Sequence, residues 1–180
     1  MKIAILAWGS LIWDKRDLEI SSEWNKNGFI LPIEFARISK DDRLTLVVTE
    51  EYGTDIETYW AISKFSKLKE AINNLRKREG TSENNIGFVD LINERSNSRL
   101  TKRIIDKMYD WGNSNNLDAV IWTDLRSNFQ EKEGVKFTIE NAIRYLSSLQ
   151  GDKKEKAFEY IEKAPELTMT KLRKMIKASA

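Results

Sequence analysis

The 180-residue chain contains no cysteine and no histidine. Without cysteine there are no disulfides, no thiolate nucleophile and no sulfur-based zinc site. Without histidine, Ser-His and Cys-His catalytic pairs and imidazole-bound metals are excluded as well, so a general acid or base has to be Asp, Glu, Lys or Tyr. One-sided charge is also missing. Thirty basic residues face twenty-eight acidic ones, and the formal charge of +2 is too small for the dense phosphate contacts of nucleic-acid binding. No apolar run is long enough to cross a bilayer. The stretch Ile3–Trp13 has the look of a short signal segment behind Lys2, but Gly9-Ser10 interrupts it and Asp14-Lys15-Arg16-Asp17 ends it without a small-residue cleavage site. The expected location is cytoplasmic, with no membrane and no nucleic-acid partner, and the oligomeric state is left open.

What is present is the balance of a packed globular chain, 41% hydrophobic and 32% charged. Ile3 to Ala7 is a short apolar run that ends at a Gly-Ser pair, as a buried strand entering a turn does. Strand character returns at Leu31–Ile38, Leu44–Thr49 and Ile56–Ile62, with short spacers that favour antiparallel neighbours. Leu68, Ala71, Ile72 and Leu75 recur at helical spacing, and Gly80 is placed as a left-handed cap. Further strands are expected at Ile86–Ile92 and Leu117–Thr123, around a helix from Thr101 to Trp111 that stops at Gly112. From Thr138 the period is helical, with helices to about Leu149, from Lys153 to Lys163, and from about Thr168. Neither a repeat nor a linker appears, so a single domain is expected, with a core over 1–125 and a helical extension over 126–180 packed on it. Its class is α+β, with a mixed, barrel-like sheet.

Two places carry candidate chemistry. The first is Trp8-Gly9-Ser10-Leu11, where the first strand ends. A Gly-Ser turn can leave successive backbone N–H groups uncovered, and such groups make an anion-binding concavity in which a carboxylate docks; an ordinary strand-ending turn is the alternative. The second is Glu79, eleven positions after Leu68 and so near about 20° on the same helical wheel, pointing along the apolar stripe. An inward carboxylate at a helix C-terminus is costly to ionise, which suits a proton acceptor. Against this stands a helix that frays before Glu79, or a surface pairing with Arg76 or Arg78. Tryptophans at Trp8, Trp13, Trp60 and Trp122 fit core positions, with Trp8 and Trp13 alternatively walling a ligand site beside the turn. Lys171, Arg173, Lys174 and Lys177 read as a solvated helix face.

Taken together, Ala7-Trp8-Gly9-Ser10-Leu11-Ile12-Trp13 resembles the Tyr-Gly-Ser-Leu signature that follows the first strand in γ-glutamylcyclotransferases and the glutathione-specific ChaC-type enzymes. Leu75-Arg76-Lys77-Arg78-Glu79-Gly80 and the strand after it resemble that family's helix-end Glu. The resemblance covers about the first half of the chain. It implies the γ-glutamylcyclotransferase-like fold, an acyltransferase or lyase-type activity without metal or cofactor, and a small γ-glutamyl compound as substrate. On it, Gly9, Ser10 and Leu11 hold the γ-glutamyl group beside the Trp8 ring. Glu79 takes the proton from the α-amine, which attacks the γ-carbonyl to give 5-oxoproline and a released amine or peptide. Trp8 stands where the family has Tyr, and the Arg-rich segment of the glutathione-specific branch is reduced to Phe35-Ala36-Arg37, with Arg37 as its substrate contact. A non-catalytic binding or regulatory module that keeps the fold is the alternative function.

Overall fold

The computed structural model describes residues 1–178. Their elements run β1 (Ile3–Ala7), β2 (Ile30–Ile38), β3 (Leu44–Val48), β4 (Thr54–Glu57), β5 (Tyr59–Ile62), α1 (Leu68–Glu79), β6 (Ile86–Asp90), β7 (Arg95–Asn97), α2 (Lys102–Ser114), β8 (Ala119–Thr123), α3 (Phe129–Glu133), α4 (Ile139–Ser148), α5 (Gly151–Lys163) and α6 (Lys171–Ala178). The class is α+β. Among the described residues the strands form two sheets and no closed barrel, so the barrel-like sheet expected from the sequence is replaced by a five-stranded sheet in the order β5-β1-β8-β6-β7 and a three-stranded one in the order β3-β2-β4.

The chain packs as two compact units, Met1–Phe29 with Glu57–Leu125, and Ile30–Ile56 with the chain from Arg126 onward. Local spacing does not reveal that Ile30–Ile56 groups with the later helices, because the partners are far apart in sequence. The expected single strand over Ile56–Ile62 is two strands. It breaks at buried Thr58, whose hydroxyl donates to Phe29 O at 2.8 Å, and β4 and β5 enter different sheets.

In the first unit β1 is an interior strand, antiparallel to β5 (Ala4 opposite Ile62) and parallel to the central strand β8 (Ile3 opposite Ala119). Ile3, Ile5 and Ala7 share one face of β1 by strand alternation, and they form one core with Ala119, Ile121 and the α1 residues Leu68, Ala71, Ile72 and Leu75. Helix α1 therefore lies on the sheet by its stripe, and Leu11, from the turn after β1, belongs to the same core. Gly112 does not stop α2. It sits inside the helix, where a Cβ would come within 2.7 Å of Leu91 Cδ2, so the missing side chain serves close packing. The strand β7 and the helix α3, three and five residues long, are too short to carry a periodic signal in the sequence.

In the second unit β2 pairs antiparallel with β3, with a register shift between Phe35 and Arg37. Asn128 mimics a neighbouring strand at Ile38, accepting its N–H at 2.8 Å and donating to its carbonyl at 2.9 Å. Thr138 caps α4 through Asn141 N–H, and Gly151, at φ 52°, begins α5. Arg173 is not on a solvated face. It is buried, and its guanidinium donates to the carbonyls of Pro165, Thr168, Glu162 and Ala164, tying the end of α5 to α6. Among the described residues no helix is long and apolar enough to cross a membrane.

Candidate active site

Helix α1 ends as its sequence dictates. Gly80 takes the left-handed conformation (φ 60°) that other residues adopt with strain, its N–H and that of Thr81 closing on Lys77 O and Arg76 O. Glu79 is thereby held as the last helical residue rather than lost to fraying. Helix α1 packs over β8 and β6, and its C-terminus meets the turn that leaves β1. That turn is tight: Ile12 N–H donates to Gly9 O at 3.0 Å and Asp14 N–H to Ser10 O at 2.8 Å. Among the described residues no hydrogen bond runs from the backbone N–H groups of Gly9, Ser10 or Leu11.

The residue that joins the two places is Arg78. Its Nη1 donates to Glu79 Oε1 at 2.6 Å, and its Nη2 donates to Ser10 Oγ at 3.2 Å and to the carbonyl of Asp14. The pair is not a surface one, since the Arg78 side chain is 4% exposed and that of Glu79 16%. Burial strengthens such a charge-assisted bond and makes either partner costly to remove alone. Sequence reasoning named Arg78 only as a possible surface partner of Glu79. The signal for burial was there: Arg78 stands three residues after Leu75 and continues the buried stripe Leu68, Ala71, Ile72, Leu75.

The other sequence candidates fall differently. Leu11 contributes its side chain to the core, leaving only its backbone for a ligand. Trp8 is buried at 5% exposure while Trp13 is partly exposed, so of the two rings Trp13 is the one at the surface. Arg37 lies in the second unit, where its Nη1 donates to Arg126 O at 2.8 Å. Among the described residues no group of three or more acidic side chains is arranged to hold a metal ion. No family model matches the chain, and no curated protein or solved structure matches it.

Proposed function

We propose that the protein cyclises a γ-glutamyl amine or peptide to 5-oxoproline, with Glu79 as general base and the Gly9–Leu11 backbone as the cradle of the γ-glutamyl group. The observation that carries this reading is the Arg78 bridge, which puts Ser10 and Glu79, remote in sequence, into one hydrogen-bonded group. Glu79 takes a proton from the α-ammonium, and the freed amine attacks the γ-carbonyl carbon. The new C–N bond closes the ring, the bond to the leaving nitrogen breaks, and the proton passes to the departing amine. Every step uses groups the chain has, a carboxylate and backbone N–H donors.

One observation favours a non-catalytic binding or regulatory module instead. The Glu79 carboxylate is already engaged by a guanidinium, and a ligand ammonium has to share it. Incubating the purified protein with a panel of γ-glutamyl amines and dipeptides, and assaying free 5-oxoproline, separates the two. Release of 5-oxoproline is the expected result, and a panel compound that binds without turnover supports the binding module.

A further inference from the structure

Arg78 carries more bonds than an ion pair needs. One guanidinium reaches three points on two elements: Ser10 Oγ and the Asp14 carbonyl on the turn, and Glu79 Oε1 at the helix end. The first two bracket the turn that Asp14 N–H and Ser10 O close. The Arg78 Nε is buried and has no partner. An unpaired buried donor is unfavourable, so the guanidinium is oriented by its two Nη groups rather than by satisfying all of its donors. A planar fork is the one cationic side chain that can hold several oxygens in fixed directions; a lysine ammonium is a mobile point charge. Arg78 uses Oε1 of Glu79, and among the described residues no hydrogen bond reaches Oε2.

We propose that Arg78 is a positioning residue that fastens the Gly9–Asp14 turn and the Glu79 carboxylate into one preorganised unit, leaving Oε2 as the oxygen that meets a ligand amine. Its part in turnover rests on the cyclisation reading above, whereas the fastening itself does not. Preorganisation of this kind acts on turnover more than on affinity, because misplacing a base by about an ångström costs about 10²-fold in rate.

The test uses the full chain as wild type, Arg78→Lys, Arg78→Met, and the double variant Arg78→Lys/Glu79→Gln. Amide hydrogen exchange is measured first. In both Arg78 single variants the N–H groups of Ile12 and Asp14 are expected to exchange about tenfold faster or more, with the amides of β6 and β8 unchanged. On a panel compound that the wild type turns over, Arg78→Lys is expected to lower kcat by about 10²-fold with KM within about twofold. Because Arg78 acts through Glu79, the double variant is expected to be no slower than Glu79→Gln alone. Unchanged exchange at Ile12 and Asp14 overturns the proposal. So does acceleration that spreads to β6 and β8, which assigns Arg78 to general packing, and so does a fully additive loss in the double variant. A wild type without turnover on the panel overturns the cyclisation reading instead, and the exchange result then decides the fastening by itself.

Discussion

Glu34, on β2, turns its carboxylate to the start of α6, where Oε2 accepts the N–H of Leu172 at 3.4 Å while Oε1 accepts the N–H of Phe35 at 2.8 Å. The residue is completely buried. Burial pushes its carboxyl above the ordinary value, an effect partly offset by hydrogen bonds from the Thr170 side chain and the backbone of Phe35, Leu172 and Lys171.

Because the folded protein holds this proton more tightly than the unfolded chain does, the contribution of Glu34 to stability is fully present below the ordinary value of 4.5 and is lost as pH rises through the folded value. Glu34→Gln removes the titration. Denaturant unfolding at a series of pH values is therefore expected to show the variant gaining on wild type as pH rises toward neutrality. A difference that does not vary with pH counts against the assignment. Glu34→Ala, which strands the donors at the α6 start, is expected to cost about 3 kcal/mol.

Asp90, the last residue of β6, has the opposite sign. Burial by itself would push its carboxyl up, but hydrogen bonds from Asn93 and Arg95, with the Arg95 charge, together hold it below the usual value. Its contribution is present above the unfolded value of 3.8 and is lost as pH falls through the folded one. Asp90→Asn is expected to cost about 1–2 kcal/mol at neutral pH. That deficit should shrink in acid, as measured by unfolding at both pH values; a deficit constant with pH would falsify the ionic role.

Gly87 stands opposite Trp122 in the β6–β8 ladder, and a Cβ there would come within 2.3 Å of the buried indole. Backbone and ring are both fixed, so neither yields cheaply. Gly87→Ala is expected to destabilise by about 2–3 kcal/mol. Combining it with Trp122→Phe should recover part of that loss as a favourable coupling in a double-mutant cycle, and additive effects would mean that the clash is relieved elsewhere.

Glu79→Gln keeps the volume and an acceptor oxygen for Arg78 while losing the ability to take up a proton. On a compound the wild type converts, kcat is expected to fall by about 10²-fold or more. The fold, followed by circular dichroism, and most of the ligand affinity should survive. Wild-type turnover in a folded variant assigns the proton transfer to another carboxylate.

Much of the local structure was legible in the sequence because its causes are local. The apolar spacing of Leu68, Ala71, Ile72 and Leu75 makes α1 amphipathic, and Gly80 ends it since glycine takes positive φ without strain. The run Ile3–Ala7 makes a buried strand for the same kind of reason, and the lack of thiol and imidazole limits the chemistry by inventory alone. What the tertiary structure decided concerns partners remote along the chain. Ser10 meets Arg78 across 68 positions and Glu34 meets Leu172 across 138. Arg78, Arg173 and Glu34 all read as surface charges by residue type, yet each is buried. Residue type sets the price of burying a charge, but whether the charge is buried depends on which distant donors or acceptors arrive to meet it. The break at Thr58 follows the same rule: Ile56–Ile62 is one strand-forming run by composition, and it divides because β2 and β1 draw its two halves into different sheets.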